Sequence, residues 1–351
     1  MSSASIAHLG ARKVREISAG LNTYAGARLL TLEDGVERGS RVIEMRSGGG
    51  LDFDVTIDRS GDIGRLTLDG QVLSWHSQAG LPSPWMMDRE GDNGQGFLRG
   101  YGGFLNTCGL DHIRQPEHDV IDYANQDSLA SVHYPLHGKG TFQPTVIRGY
   151  GLVDDVEEPY VFCETEFVQG MAFVSALRLR RRIELPVGSQ TLFIRDTVKN
   201  IGNNPAGHML LYHFNLGFPL VAPDTKVDFG NDKCVWCSEE HDPNEGFPEP
   251  IEYASNKISV FKHASEEACM TVTSPLAGLA LQLTYPSSQL SHCQLLRMTA
   301  PGIYGVGLEP CTAGSRTRKL AREAGEIINL QPEEERQYDI RLNIEKTYTE
   351  K

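Results

Sequence analysis

Short segments with an apolar residue at every second position constrain the fold of this chain more than any other feature. In the clearest segment, one face of an extended strand is shared by Tyr338, Ile340, Leu342 and Ile344. The same alternation recurs in Leu51-Phe53-Val55-Ile57, Leu177-Leu179, Leu192-Ile194 and Leu279-Leu281-Leu283. Such strands, joined by Gly, Pro, Asn and Asp turns, predict an all-β protein built as a large antiparallel sandwich or barrel, and we expect the β-sandwich. Only residues 116–130 and 316–324 could form a turn or two of helix.

Two polar segments interrupt the strand pattern and are the candidate domain boundaries. Residues 85–96 are rich in glycine, and residues 239–252 are acidic and contain three prolines. Each lies within an otherwise continuous series of strands, so we interpret both as loops over the mouth of one sandwich. We therefore expect residues 41–351 to form a single domain, with residues 1–40 as a lead-in that packs on the sandwich.

The charge of the chain favours small molecules as partners. The 33 Lys and Arg residues face 46 Asp and Glu residues, which gives a formal charge of −13. Nucleic acid and anionic lipid would bind against this mean field, so neutral small molecules are the expected partners. No run of about 18 apolar residues and no cleavable apolar leader is present, which predicts a cytoplasmic protein without a membrane span. An odd count of seven cysteines predicts free thiols.

Two histidines occupy places where the strand pattern calls for a turn or for apolar residues. His137 lies between a proline and two glycines in residues 134–140, a turn in which an imidazole can approach a ligand closely. His213 and Asn215 lie at positions i and i+2 of the apolar run 210–219, so both point from one face of a strand. Each motif also has a structural interpretation: a turn histidine bonded to a neighbouring carbonyl, and a polar pair satisfied within the core.

A glutamate, Glu309, ends the glycine-punctuated stretch Gly305-Val306-Gly307-Leu308. If its side chain is buried, the loss of hydration raises its pKa toward the range of a general base near neutral pH. A surface glutamate at the end of a strand is the interpretation that this motif favours on its own.

In sequence order, the three motifs resemble the site of the galactose mutarotase-like (aldose 1-epimerase) superfamily. That family has one histidine in a His-Gly turn, a second in a strand of the Asn-His-x-x-Phe-Asn-Leu kind, and a later glutamate in a Leu-Glu dipeptide. The corresponding stretches here are PLHGKG, YHFNLGFPL and GVGLEPCT. The flanks at 102–111, 196–202 and 330–332 resemble the less characterised DUF4432-type branch more closely than the galactose enzymes themselves, and the resemblance covers residues 40–345.

The resemblance implies an aldose 1-epimerase, which interconverts the α and β anomers of an aldose by acid–base ring opening and closure. In such a site, Glu309 would take the proton of the anomeric hydroxyl and a protonated His213 would donate one to the ring oxygen. His137 would hydrogen-bond the ring oxygen or a neighbouring hydroxyl. The resemblance implies a sugar substrate, no cofactor and no metal ion.

The arginine with which the galactose enzymes bind sugar hydroxyls lies in an Asn-Arg dipeptide that is absent here. Arg99 or Arg114 could replace it. The other candidate substrate-binding residues are Asn106, Thr107, Asp111, Asn215 and Trp75. Trp75 could stack on a sugar ring or fill the core. The motif around His213 also lacks the intervening residues of the family spacing, so substrate specificity does not carry over.

Two further patterns have structural interpretations. Arg178, Arg180 and Arg182 lie on one face of a predicted strand. They could contact a phosphorylated sugar, but we expect a ladder of charges with acidic neighbours on a solvent face. Cys234 and Cys237 form a lone Cys-x-x-Cys, for which two half-buried cysteines are expected rather than a zinc site.

Two other functions stay open. A noncatalytic carbohydrate-binding protein could use the same fold, and an exposed Glu309 far from His213 would favour it. A lyase or hydrolase acting on a sugar acid or glycoside would need a second carboxylate, roughly 5–9 Å away, for which Asp111 is the nearest candidate. The sequence does not name the sugar or its charge, and a homodimer stays open.

Overall fold

A computed structural model describes residues 10–120 and 131–347 of the chain. Strand accounts for 47% of the structure and helix for 9%, so the predicted all-β class is confirmed. The helical segments are α1 (Gly10–Ile17), α2 (Gly91–Gly94) and α3 (Arg318–Glu323), with single 3-10 turns at Leu21–Thr23, Gly35–Glu37, Pro84–Met86 and Gly96–Arg99. Within the described residues, no helix is both long enough and apolar enough to cross a membrane.

The strands follow one another along the chain at short intervals. In order they are β1 (Gly26–Thr31), β2 (Arg41–Arg46), β3 (Leu51–Thr56), β4 (Asp62–Leu68), β5 (Gln71–Val72), β6 (Leu105–Leu110), β7 (Glu117–Val120), β8 (Ser131–Tyr134), β9 (Val146–Val153), β10 (Tyr160–Met171), β11 (Ser175–Pro186), β12 (Thr191–Asn200), β13 (Ala206–Leu216), β14 (Lys226–Asp228), β15 (Lys233–Cys237), β16 (Lys257–Lys262), β17 (Glu267–Ser274), β18 (Leu279–Pro286), β19 (His292–Met298), β20 (Gly305–Cys311), β21 (Ile328–Leu330) and β22 (Glu335–Lys346).

These strands form two large sheets and two smaller ones. One large sheet has the order β14-β17-β18-β22-β12-β11-β10-β9, and the other has the order β15-β16-β19-β20-β13-β21, with β6 also paired to β13. Strands β1 to β5 form a five-stranded sheet in sequence order, and β7 pairs with β8. All of these pairings are antiparallel, and the predicted β-sandwich is confirmed.

The two helix predictions have different outcomes. α3 lies within residues 316–324, as predicted, and the Thr317 side chain caps its first turn by accepting from the Leu320 N–H. In the segment 116–130 the prediction was wrong for residues 117–120, because β7 runs there and pairs with β8. Residues 121–130 lie outside the described part of the chain.

Strand β13 separates the main hydrophobic core from the face that carries the polar motif. Tyr212 and Phe214 point into the main core, where Leu308 of β20 also lies. Leu211 points the other way, into a second and smaller apolar cluster. Because side chains alternate along a strand, His213 lies on the same side as Leu211, away from the main core.

The basic stretch on β11 is a surface ladder, as predicted. Arg180 and Arg182 both pair with Glu164 on the neighbouring strand, at 2.5 and 3.2 Å. Arg181 points inward instead and is fully buried between Asp62 and Asp196, with a 2.6 Å ion pair to each carboxylate. A buried guanidinium needs such partners because isolated burial of a charge is costly.

The cysteines are free thiols, as predicted. Cys234 is exposed and Cys237 is half-buried, with 3.2 Å between their sulfur atoms, so the prediction of two half-buried residues was correct for Cys237 alone. Among the described residues, no three His, Cys, Asp or Glu side chains lie close enough together to hold a metal ion.

Candidate active site

Strand β20 carries glycine at two alternate positions on the face opposite the main core. A side chain at Gly305 would place its Cβ 2.6 Å from Cδ1 of Trp75, and one at Gly307 would place it 2.8 Å from Cε1 of His213. No Cβ fits at these distances without displacing a ring, so both rings lie against bare backbone. Glu309 is the next residue on this face, which places its carboxyl group beside the His213 imidazole.

His137, His213 and Glu309 line one cavity of about 300 Å³, which we call the His–Glu cavity. The sequence predicted that these three residues would converge, and the structure brings them together. The apolar wall of the cavity is formed by Trp75, Phe97, Tyr101, Leu136, Leu296 and Met298. His213 is 2% exposed and Glu309 is 0% exposed, whereas Leu98 at the rim is exposed. The floor of the cavity is therefore shielded from solvent while its rim is accessible.

The His213 ring and the Glu309 carboxyl group are in close contact. Nε2 of His213 lies 3.3 Å from Oε1 of Glu309. The Tyr101 hydroxyl lies 3.4 Å from the same Nε2 and donates to Oδ1 of Asn215 at 2.8 Å. Among the described residues, Nδ1 of His213 and Oε1 of Glu309 are buried without a hydrogen-bond partner. Buried polar atoms are rarely left unpaired, so these atoms are available to a ligand.

Burial changes the protonation state of this pair. The loss of hydration raises the pKa of Glu309 to about 8 and lowers the pKa of His213 to about 3. At neutral pH the pair therefore holds its proton on the carboxyl group, and the imidazole is neutral. Burial shifts the pKa of Glu309 in the expected direction, but it favours the neutral form of His213 over the expected protonated form. The physical reason is that a buried imidazolium loses its hydration shell.

His137 reaches the cavity through a backbone conformation that the glycine after it supports. Its φ is +61°, and its N–H donates to the Arg114 carbonyl at 2.7 Å. Gly138 also has a positive φ of +80°, and a Cβ there would lie 2.4 Å from two carbonyl oxygens. The His137 ring packs edge-on against Phe97 and 5.6 Å from the His213 ring. Burial, reinforced by His213 and Arg114, holds the pKa of His137 well below its usual value.

A glutamine and two arginines support the carboxyl group from behind. Gln294 of β19 lies opposite Glu309 in the pairing with β20, and its Nε2 donates to Oε2 of the carboxyl group. The Oε1 atom of Gln294 accepts from both Arg114 and Arg316. The Arg316 guanidinium also stacks over the Trp236 ring at 4.3 Å. Both arginines line the His–Glu cavity.

Sequence reasoning missed Tyr101, Gln294 and Arg316. Gln294 had a usable signal, since it is a polar residue on a strand face whose next two members, Leu296 and Met298, are apolar. That is the same signal that singled out His213. Tyr101 and Arg316 lie in irregular segments, where no periodicity shows which way a side chain points.

Three of the predicted substrate-binding residues lie at the cavity or directly behind it. Trp75 lines the cavity, with its ring centroid 5.1 Å from that of Tyr101. Asn215 is fully buried and fixes the Tyr101 hydroxyl. Asn106 supports Asn215 by accepting from its side-chain amide at 3.2 Å. The two asparagines therefore position the tyrosine rather than line the cavity themselves.

The arginine prediction is corrected in favour of the second candidate. Arg99 is exposed and pairs with Asp92 at 2.5 Å, outside the His–Glu cavity. The short 3-10 turn that contains it directs its side chain to solvent. Arg114, which is 3% exposed, lines the cavity instead.

Two further predictions are corrected. The Thr107 hydroxyl donates to Asp62 at 2.6 Å and accepts from Arg181 at 2.7 Å, so it belongs to the interior network. Thr107 is offset by one residue from Asn106 and points to the opposite face of β6. Asp111 lines a different cavity, together with Tyr134 and Arg318. The loop after β6 carries it away from Glu309.

A model of one protein family matches most of the chain. The family is described as a domain of unknown function, DUF4432, and the match spans residues 37–344. The chain belongs to the DUF4432 family. No curated protein matches it.

Crystal structures similar to this DUF4432 protein come from several bacteria. A protein described as a "putative aldose 1-epimerase" from Klebsiella pneumoniae has 18% identity and a TM-score of 0.79, over 91% of this chain and 83% of its own. A galactose mutarotase-like protein from Clostridium acetobutylicum has 13% identity and a TM-score of 0.63, over 91% and 98%. Galactose 1-epimerase from Lactobacillus acidophilus has 12% identity and a TM-score of 0.57, over 92% and 99%. At these identities the similarity establishes the galactose mutarotase-like fold of the DUF4432 chain.

Proposed function

We propose that this protein is an aldose 1-epimerase-like isomerase that interconverts the anomers of a sugar in the His–Glu cavity. The observation that carries the proposal is the buried carboxyl–imidazole pair, whose Oε1 and Nε2 atoms lie 3.3 Å apart. Both residues line a cavity whose wall includes the indole of Trp75, a surface suited to the face of a sugar ring. Membership of a fold shared with aldose 1-epimerases adds support by analogy.

Ring opening requires one group to accept the proton of the anomeric hydroxyl and another to donate a proton to the ring oxygen. We assign the base to the Glu309 carboxylate and the acid to the protonated His213. This ion-pair state forms from the neutral pair when the carboxyl proton crosses the 3.3 Å contact to Nε2. Arg114 and Arg316 favour it, since both lower the pKa of Glu309.

The reaction then balances within the pair. Glu309 takes the hydroxyl proton as His213 gives its proton to the ring oxygen, and the bond from C1 to the ring oxygen breaks. The product is the open-chain aldehyde beside a neutral carboxyl group and a neutral imidazole. Rotation about the C1–C2 bond presents the other face of the carbonyl, and the reverse proton transfers close the ring to the opposite anomer.

The remaining residues of the cavity bind and orient the sugar. His137 stays neutral at physiological pH, because burial lowers its pKa, so it can hydrogen-bond a hydroxyl without competing for the transferred proton. Its Nδ1 atom is buried and has no partner among the described residues. The Tyr101 hydroxyl, held by Asn215, fixes the orientation of the His213 ring.

The two alternative functions receive less support. A hydrolase needs a second carboxylate beside the sugar. Within the described residues Glu309 is the one carboxyl group in the wall of the His–Glu cavity, and Asp111 lies in another cavity. A noncatalytic binding protein would have no need of a buried Glu309 in contact with His213, and it is the runner-up.

Exchange NMR on a panel of aldoses tests the proposal. The wild-type protein should accelerate the interconversion of anomers, since a general acid and a general base each contribute ~10²–10⁴-fold. Saturation-transfer measurements on the same samples report binding independently. Binding of a sugar whose anomers exchange at the spontaneous rate would favour the binding protein over the enzyme.

A further inference from the structure

Two arginines of the His–Glu cavity share a neutral partner. Arg114 and Arg316 both donate to Oε1 of Gln294, and an amide oxygen carries no net charge. The other oxygen partners of Arg114 are the carbonyls of Ala313 and Ser315, at 2.7 and 2.9 Å. Neither arginine forms an ion pair with a carboxylate of residues 10–120 or 131–347. The positive charge of the two guanidinium groups is therefore not neutralised by a contact.

Other arginines of this protein are held in one of two ways: Arg59 and Arg297 are buried and donate to backbone carbonyls, and others pair with carboxylates. Arg181 is enclosed by two carboxylates, and the surface arginines Arg180 and Arg182 share Glu164. In a chain of formal charge −13, acidic partners are abundant. What distinguishes Arg114 and Arg316, among the residues that the structure describes, is that two guanidinium groups meet at one amide oxygen in the wall of a cavity.

The charge balance inside the cavity is positive. Its carboxyl group, Glu309, holds a proton at neutral pH because burial raises its pKa to about 8. Burial, with the charge of Arg114 in second place, lowers the pKa of Arg316 to about 10, which still leaves it protonated at neutral pH. The overall negative charge predicted neutral partners, but charges more than about 8–10 Å away are largely screened, so the nearby arginines dominate within the cavity.

The geometry of Arg316 leaves one edge of its guanidinium group for a ligand. Nη1 donates to Gln294 at 2.5 Å, and the plane stacks on the Trp236 ring. Among the described residues, no partner engages Nε or Nη2. A planar fork held by stacking is suited to bidentate binding of a carboxylate or a phosphate.

We propose that the sugar bound in the His–Glu cavity is anionic and that Arg316 binds its carboxylate or phosphate group. This inference rests on the proposed function and names its substrate class. Arg114 adds positive charge from the cavity wall, where its hydrogen bonds to Gln294 and to two backbone carbonyls hold it in place. The anionic group anchors one end of the sugar while the anomeric carbon lies beside the His213–Glu309 pair.

Binding measurements on matched ligands test the inference. Each series compares a neutral hexose, the corresponding uronate and the corresponding 6-phosphate, in the gluco, galacto and manno configurations. The wild-type protein should bind at least one anionic sugar about tenfold or more tightly than its neutral parent, a difference that should shrink as salt is added. The uronate and phosphate arms distinguish the two anionic groups.

Three variants identify the responsible residue. Arg316→Gln should lower the ratio of anionic to neutral binding about tenfold or more, whereas Arg316→Lys keeps the charge and should keep most of the ratio. Arg99→Gln removes an exposed arginine outside the cavity and should change nothing. A wild-type protein without preference for either anion, or a preference that survives Arg316→Gln, would overturn the inference.

These experiments distinguish failure of the anion site from failure of the proposed epimerase. An anionic sugar that binds through Arg316 without faster anomer exchange supports the anion site and contradicts the epimerase. Rapid exchange of neutral sugars, with no preference for anions in binding, supports the epimerase and contradicts the anion site.

Discussion

Replacing Glu309 by glutamine should change how the stability of the protein depends on pH. Burial raises the pKa of this carboxyl group to about 8, whereas an ordinary glutamate in an unfolded chain titrates near pH ~4.3. Between these values the folded state holds a proton that the unfolded state has released, so the free energy of unfolding falls as the pH rises. Glutamine has nearly the same shape and does not titrate, so Glu309→Gln removes this dependence.

The interval from about pH 6.5 to 8 isolates the contribution of Glu309. The pKa values of His137 and His213 are lowered, so these two residues make stability rise with pH, but only below the ordinary histidine pKa of about 6.5. Each pH unit over which one proton differs is worth about 1.36 kcal/mol, which gives a loss of about 2 kcal/mol across the interval. Urea denaturation at several pH values measures it directly.

The comparison needs a control glutamate. Glu335→Gln, at an exposed position of β22, should leave the pH dependence of the wild-type protein unchanged. Glu309→Gln should abolish the loss of unfolding free energy, about 2 kcal/mol, that the wild type shows across this pH interval. Parallel curves for the wild type and Glu309→Gln would show that the carboxyl group is not held protonated by burial, and the description of the site would be wrong.

Two substitutions, with a matched control for the first, separate effects on the site from effects on the scaffold. Gly307→Ala would place a Cβ 2.8 Å from Cε1 of His213 and displace the ring, so anomer exchange should fall about 100-fold, whereas Gly26→Ala, with nothing within 4 Å of its Cβ, should be silent. Exchange at the wild-type rate in Gly307→Ala would contradict the role of the glycine. Thr107→Val removes the hydroxyl shared with Arg181 and should destabilise the fold by about 1–3 kcal/mol in urea denaturation, with exchange per folded molecule unchanged. Unchanged stability would contradict its place in the interior network.

The parts of the site that lie on regular strands were predictable from the sequence. Alternation along β13 correctly placed His213 and Asn215 on one face, because the backbone of a strand fixes the direction of each side chain. The same rule, applied to β6, places Asn106 and Thr107 on opposite faces of the strand. It would have removed Thr107 from the predicted substrate-binding residues. The sandwich itself was predicted from many such strands. One of them is β22, where Tyr338 is buried as the alternation predicts.

The parts of the site that lie in irregular segments were not predictable. Arg99 and Arg316 are both arginines in loops or short turns, and the sequence offers no period that shows which of them faces the cavity. Their directions depend on packing, as in the stacking of Arg316 on Trp236. The protonation state of His213 was also out of reach, since it depends on how completely the folded chain excludes water from the ring.

The central claim is that one buried pair, Glu309 and His213, carries out the proton transfers of anomer exchange. The most direct measurement is the exchange rate of a bound aldose in Glu309→Gln, with its binding affinity determined on the same sample. The account predicts that exchange collapses while binding changes little, and that adding His213→Asn makes the variant scarcely worse, because acid and base act as a unit. Equal exchange rates for the wild type and Glu309→Gln, on a sugar that both bind, would contradict it.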